Sequence, residues 1–426
     1  MSKIFEKAIY EQLNEHFEMF NGLSQRPFGF RSKMSTTVPI MDFVEEVRRN
    51  LMLKKTVAGV FIDLRRAFDT VDVNILIKKL TRYGADDIFL SWLRSFMSNR
   101  RQVVQVGNAI SDVRNISVGV AQGSIGGPLL FNIFINDIFS VTKHAKLTLF
   151  ADDTTALFVG NSPTEVEAMV REDLQRLSSW FRSNGLYMNW RKTGVMQFLS
   201  PRGSVTINPL RFQCDGIALS LLKETKFLGV TLDEKLTFEA HVTHIRKKIS
   251  GSNAALYRAR RILPQNCLMA MYFAYVHSHL TYAVEVYGLT QMRLIRSLHR
   301  LQKRALRTTL DLWMRDSVQP HYKNISILPF PKLIEYCLVV EIKRILLGVH
   351  PNLYGLATSA TPISTRGNAS NLLTLSHANS NQSRLSIRNI GASYWNKVPA
   401  SVRQTKSLLK FKCDLKEHYL ETFVSG

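Results

Sequence analysis

The stretch KLTLFADDTTALFV, residues 146–159, decides how this chain is read. Its two halves, KLTLF (146–150) and TTALFV (154–159), are rich in β-branched and apolar residues. Ala151-Asp152-Asp153 between them has turn composition, so the stretch reads as an antiparallel hairpin with acidic residues at its tip. Paired aspartates in a turn are usually no more than turn chemistry. A second short run, VAGVFI (57–62), ends on another aspartate, Asp63. Two strand ends carrying Asp63, Asp152 and Asp153 make an oxygen-rich cluster of the kind that hard cations require. A pair of Mg²⁺ ions about 4 Å apart can activate an attacking hydroxyl and stabilise a leaving pyrophosphate. Carboxylates so clustered repel one another in the absence of cations.

Outward from that core, Ile4, Phe5, Ala8, Ile9 and Leu13 fall at helical spacing directly after the first residue, which leads us to expect an N-terminal truncation. Helical patterning is expected over 67–83, stopped by Gly84, and again over 86–98. Residues 101–106 and 112–119 read as a strand pair, and PLLFNIFINDIFS (128–140) as a buried helix with Pro128 in its first turn. A helix over 163–184 should close on Asn184-Gly185. Beyond residue 234 the chain turns to helices dense in Arg and Lys; residues 357–387 are rich in Ser, Thr and Asn, and a last helix spans 406–422.

The chain has 426 residues, with 56 Lys and Arg against 33 Asp and Glu, a formal net charge of +23. With 45% apolar and 21% charged residues it has the balance of a folded, multi-domain protein whose partner is a polyanion, nucleic acid before membrane. Cys214, Cys267, Cys337 and Cys413 share no CxxC spacing, which argues against a zinc ribbon or disulfide framework and for a reducing, intracellular setting. No apolar run reaches the roughly 18–20 residues of a membrane span, and the N-terminus lacks the pattern of a signal peptide. Arg293, Arg296, Arg300, Lys303, Arg304 and Arg307 form a cationic stripe on an amphipathic helix that contains no acidic i,i+4 partner.

Between Asp63, in FIDLRRAFDTVD (61–72), and the Asp pair, in FADDT (150–154), lies GVAQGSIGGPLLFNIFINDI (119–138), a glycine-rich loop feeding an apolar helix. In this order and spacing the three blocks resemble reverse transcriptases of non-LTR, LINE-type retrotransposons, jockey-like in flavour. The resemblance runs downstream through NGLYMNWRKTGVM (184–196) and FLGVTLD (227–233), and upstream through RPFGFR (26–31) with Ser35-Thr36-Thr37.

The resemblance implies an α+β right-hand polymerase: partial fingers and palm over 1–233, a basic helical thumb over 234–310, a helical extension over 311–356, an irregular linker over 357–387 and a C-terminal helical segment over 388–426. It implies RNA-directed DNA synthesis with RNA template, DNA primer and dNTPs, two Mg²⁺ ions (Mn²⁺ substituting), and a nuclear or cytoplasmic location. Asp63, Asp152 and Asp153 become the metal-binding carboxylates, with the Leu64 carbonyl as a further ligand. Phe68 becomes the steric gate beneath the sugar, Gln122 and Gly123 the nucleotide and template loop, and Lys192 the lysine beside the triphosphate. Arg31 and Lys33 are expected on the template backbone, and the stripe from Arg293 to Arg307 on the template–primer hybrid.

Two departures keep an alternative open. Ala121 stands where the family usually has Pro, and Gly126 where it usually has a bulky apolar residue. Gly126-Gly127 should loosen the loop, because glycine loses the most entropy on ordering. Together with the missing upstream fingers, they leave a catalytically impaired nucleic-acid-binding relic as the second reading. A viral RNA-dependent RNA polymerase is disfavoured by Ala151 before the Asp pair and by the bulky Phe68.

Overall fold

The strand β1 (Thr56–Ile62) is buried from Val57 to Ile62 without interruption, the pattern of a strand covered on both faces. It is the centre of a five-stranded sheet in the order β11 (Ser220–Leu221), β8 (Gly194–Phe198), β1, β7 (Asp153–Gly160), β6 (Lys146–Phe150). All pairings are antiparallel except β11 with β8. The expected hairpin is β6–β7: Phe150 pairs with Asp153, leaving Ala151-Asp152 as a two-residue loop. Ala151 takes φ +55°, at the loop position where glycine is ordinarily preferred.

This is a computed structural model, and it describes residues 2–19, 35–120, 123–207, 213–214, 217–352, 356, 372–375 and 385–424. The chain forms two compact units, one from Met1–Thr36 and Lys54–Lys223, the other from Thr37–Leu53 and Glu224–Gly426. Among the described residues no helix is long and apolar enough to cross a membrane.

In the first unit, α1 (Ser2–Met19) sets Phe17 edge-on to Tyr83 at 5.4 Å. The helix expected over 67–83 is instead a 3-10 turn (Ala67–Thr70) followed by a separate helix, whose first residue is Val73. The break is Asp72, whose carboxylate accepts the Asn74 and Ile75 amides at 2.7 and 3.1 Å, an N-cap that outcompetes continuation of the preceding turn. The expected strand pair divides into β2 (Arg100–Gln102) with β5 (Arg114–Ile116) and, at its tip, β3 (Gln105–Val106) with β4 (Ala109–Ile110). The apolar helix is α5 (Gly127–Ile135), continued as a 3-10 turn over Asn136–Ser140. Helix α6 (Pro163–Ser183) buries Val166, Val170, Leu174, Leu177 and Phe181, a repeat of three to four residues. It begins on Ser162, which accepts the Glu165 amide, and ends where Gly185, at φ +70°, donates to Arg182 O. The remaining elements of the unit are α3 (Val73–Arg82), α4 (Asp87–Met97), β9 (Gln213–Cys214) and β10 (Ile217–Ala218).

The second unit takes α2 (Thr37–Met52) from early in the chain: Phe43 packs on Phe227 at 5.2 Å, and Arg48 donates to Leu385 O at 2.8 Å. FLGVTLD is the hairpin β12 (Glu224–Phe227)–β13 (Val230–Asp233), whose loop residues Leu228 and Gly229 both take positive φ, +45° and +86°. Asp233 does no chemistry: its carboxylate accepts the Lys235, Thr237 and Phe238 amides at 3.1, 3.0 and 2.8 Å and turns the chain into α7 (Glu239–Ala259). Then follow α8 (Gln265–Tyr272), α9 (Ser278–Thr281), α10 (Val284–Tyr287), α11 (Met292–Thr309), α12 (His321–Asn324) and α13 (Phe330–Leu346). Most of 357–387 lies outside the described residues. The unit closes with α14 (Ala392–Lys397), α15 (Ala400–Arg403) and α16 (Leu408–Val424), the last two residues later than expected at both ends.

Candidate active site at the end of the central sheet

The β1–β7 ladder runs to Ile62↔Thr154, so one further step of the same register sets Asp63 opposite Asp153. Beyond β1 the backbone is held by the NGLYMNW segment. Asn189 N donates to Asp63 O at 2.7 Å, Arg65 N donates to Tyr187 O at 2.9 Å, and Leu64 bridges Met188. The Asn189 side chain adds a bond of its own, Nδ2 to Asp63 Oδ2 at 2.9 Å. Lys192 Nζ lies 3.9 Å from the same oxygen. Asp63 N in turn donates to the buried Thr193 Oγ1 at 3.3 Å. One carboxylate is thus oriented by an amide on one side and faces a cation on the other.

An open cavity of about 660 Å³ lies here, lined by Asp63, Leu64, Arg65, Arg66, Thr70, Asp152, Tyr187, Asn189 and Lys192. Of the expected site residues, Asp63, Leu64, Asp152 and Lys192 come together in it. Asp153, the exposed first residue of β7, does not line it, and neither do Phe68 and Gly123. The expectation that three carboxylates gather at one point is therefore corrected: among the described residues no three His, Cys, Asp or Glu side chains form a group that could hold a metal. The hairpin accounts for it, because Asp153 belongs to the ladder while Asp152 occupies the loop. Two carboxylates still fit a hard cation, since Mg²⁺ prefers one or two plus substrate phosphates. Arg31, Lys33 and Gln122 lie outside the described residues.

Phe68 stacks on Phe131 of α5, with ring centroids 4.5 Å apart. The loop that follows β5 is fastened to the same turn: Val120 N donates to Phe68 O and Gly119 N to Val71 O, both at 2.8 Å. Gly119 is required there, at φ +88° and with a Cβ position only 2.7 Å from Asp69 O.

Sequence reading missed Asn189, Arg65 and Arg66. Asn189 lies inside a quoted block, but only its long-range placement beside Asp63 gives it a role. Arg66 is held in the left-handed region at φ 48° and ψ 45°, and with Arg65 and Lys192 it makes one wall of the cavity cationic. Carboxylates for a cation beside cations for an anion are what a metal-bound polyphosphate needs.

In the second unit the cationic stripe lies on α11, but not all of it is unengaged. Arg293 pairs with Glu239 across helices at 2.9 Å, and Arg307 Nε donates to Asp316 O at 2.8 Å. The lack of an acidic partner expected from the sequence holds within the helix and fails between helices.

A family model described as reverse transcriptase (RNA-dependent DNA polymerase) matches residues 1–232. Among curated proteins, the probable RNA-directed DNA polymerase from transposon BS of Drosophila melanogaster is 27% identical over 329 residues, covering 73% of this chain and 35% of that protein. The RNA-directed DNA polymerase from mobile element jockey of the same species is 27% identical over 322 residues, covering 72% and 34%. The chain thus spans about a third of the length of the curated relatives it matches. Among solved structures, apo telomerase from Candida Tropicalis aligns with 82% of this chain and 59% of its own at 10% identity and a TM-score of 0.40, too slight a likeness to bear on function.

Proposed function

Because the chain belongs to the reverse transcriptase (RNA-dependent DNA polymerase) family, we propose that it is the polymerase segment of a non-LTR retrotransposon and copies an RNA template by extending a DNA primer with dNTPs. The observation that carries this reading is the shared cavity of Asp63, Asp152 and Lys192 at the end of the sheet. In the reaction the primer 3′-oxygen forms a new bond to the α-phosphorus while the bond to pyrophosphate breaks. Asp63 and Asp152, with the Leu64 carbonyl, would hold divalent cations, which polarise hydroxyl and phosphate oxygens when bound. Asn189 fixes the Asp63 carboxylate in one orientation, so little reorganisation accompanies the reaction. Arg65, Arg66 and Lys192 gather the triphosphate, and Lys192 gives the proton that the leaving pyrophosphate takes up.

Phe68, anchored by its stack on Phe131, is assigned the sugar-side wall that excludes a 2′-hydroxyl. Gln122 and Gly123 are assigned the template and nucleotide loop, Arg31 and Lys33 the template backbone. Arg296, Arg300, Lys303 and Arg304, with Arg293 and Arg307 beside their protein partners, are assigned the hybrid backbone. Asp153 sits outside the cavity, and that placement favours the second reading, a catalytically impaired nucleic-acid-binding relic. Primer extension on poly(rA)/oligo(dT) decides between them. Extension that Asp152→Asn abolishes, with template–primer binding kept, supports the polymerase; extension unaffected by Asp152→Asn overturns the assignment, and binding without any extension selects the relic.

A further inference from the structure

Helices α7 and α11 lie side by side and run parallel. Glu239 meets Arg293 at 2.9 Å at one end, and Asn253 Nδ2 donates to Leu301 O at 3.2 Å midway. At the far end Arg260 lies 4.0 Å from Asp311, just past α11. Between them is an open cleft of about 750 Å³ lined by Thr243, Arg246, Lys247, Ser250, Ser297, Arg300, Leu301 and Arg304. Its lining has four cations, three hydroxyls and no carboxylate. Arg246, Lys247, Arg300 and Arg304 have no acidic partner among the described residues. Like charges lining one cleft repel one another unless an anion enters, so the cleft is built for a polyanion.

What lies at its far end narrows the class of polyanion. Trp313 and Met314 are 82% and 79% exposed, a large apolar surface on a basic element. They are not on a loose tip: Trp313 N donates to Asp316 Oδ2 at 2.8 Å, and Asp316 N donates back to Trp313 O at 3.1 Å. Arg307 Nε ties Asp316 O to α11 at 2.8 Å. Nearby, Tyr257 carries the Arg260 guanidinium over its ring at 4.6 Å. A held, exposed indole beside a track of cations is a stacking platform with a phosphate groove, the pairing that binds single strands. A duplex would present phosphates to the groove but no free base to the indole, because its bases are stacked internally.

We infer that the α7–α11 cleft and Trp313 form a binding site for single-stranded RNA, with phosphates along Arg246, Lys247, Arg300 and Arg304 and one base stacked on Trp313. The site rests on reading the chain as a template-copying polymerase, and the ligand it serves there is an unpaired stretch of template.

The test measures binding of the full chain to a fluorescein-labelled oligo(U) RNA of about 15 nucleotides, a length within the usual site size, by anisotropy across a salt series. Trp313→Ala should weaken binding roughly 5- to 100-fold, the range for loss of one base stack, and Trp313→Phe should restore most of it. Arg300→Gln with Arg304→Gln should lower the slope of log affinity against log salt by about 1.4, at about 0.7 per phosphate contact on a single strand. Wild-type affinity in Trp313→Ala overturns the proposal. An equal loss on a blunt RNA–DNA hybrid also overturns it and assigns the face to duplex. Reduced self-association with RNA binding unchanged overturns it in favour of a protein interface. Primer extension, measured in parallel, reports on the polymerase reading alone. Trp313→Ala that still extends primers but loses oligo(U) supports both ideas; a chain that never extends, yet loses oligo(U) through Trp313→Ala, supports only the RNA site.

Discussion

Asn189→Ala isolates the orientation of the Asp63 carboxylate. The side chain gives Asp63 Oδ2 one hydrogen bond at 2.9 Å, while the Asn189 backbone amide holds Asp63 O independently at 2.7 Å. The substitution therefore removes the carboxylate's amide partner and keeps the chain segment in place. A hydrogen bond to a charged acceptor contributes about 1.5–3 kcal/mol. The Asp63 side chain is 40% exposed, so water replaces part of it, and about 1–1.5 kcal/mol is left. If that difference is felt in the transition state, it amounts to roughly a tenfold loss of rate. Single-turnover incorporation of dTTP on poly(rA)/oligo(dT) reads the rate, and thermal unfolding reads stability. The expected result is a rate about tenfold lower, with template–primer affinity unchanged and a melting temperature within about 2 °C of the parent. An undiminished rate refutes the positioning role. So does a loss of rate matched by loss of template binding or by a broad drop in stability, since the side chain would then be structural.

Three further outcomes follow from the fold. Ala151→Gly should raise stability by about 0.5–1 kcal/mol in denaturant titration, because the left-handed residue at φ +55° costs an alanine more than the entropy that glycine brings; a destabilised variant would show that the turn is relaxed as it stands. Gly119→Ala should do the opposite, by about 2 kcal/mol or more, since φ +88° and a backbone oxygen at 2.7 Å both exclude a Cβ; native stability in that variant would contradict the loop geometry. The third concerns Glu285, whose carboxyl is pushed up to about 7 by burial, against its own backbone hydrogen bond and with further upward pressure from Glu341. A carboxyl raised in the folded state favours folding below its unfolded value of 4.5 and loses that contribution as pH rises through about 7. Glu285→Gln should therefore match the parent near pH 5 and exceed it in melting temperature near pH 8; a difference that does not grow with pH removes the burial argument.

The elements carried by local signals were legible in the chain. Ser162 and Gly185 mark both ends of α6 in the sequence, and the apolar runs on either side of Ala151-Asp152 announce their hairpin. Asp63 and Asp152 could be named because each ends or links a strand, and strand ends are visible locally. Asn189 could not, because its partner lies 126 residues away and nothing in an Asn beside a Trp announces which carbonyl or carboxylate it will face. Asp153 was over-read for a related reason: adjacent aspartates look equivalent in a string, but a two-residue loop puts one in the turn and the other in the ladder. Asp72 was under-read within a pattern that looked continuously helical, although its capping chemistry is local. The acidic partner of Arg293 was invisible for the same reason as Asn189, because Glu239 sits on another helix.

The membership of α2 in the second unit bears on how the chain can be divided in the laboratory. Val38, Ile40, Met41, Phe43, Val44 and Val47 are buried against segments that are translated only after residue 223. During synthesis that greasy face must wait, through the whole of the first unit, for its cover to emerge from the ribosome. A recombinant piece cut near residue 223, the cut that the family match invites, would leave the same face bare to water and prone to clump. Dissection that excises the loop carrying α2, or supplies the later half as a separate polypeptide, respects the way this molecule is sewn together.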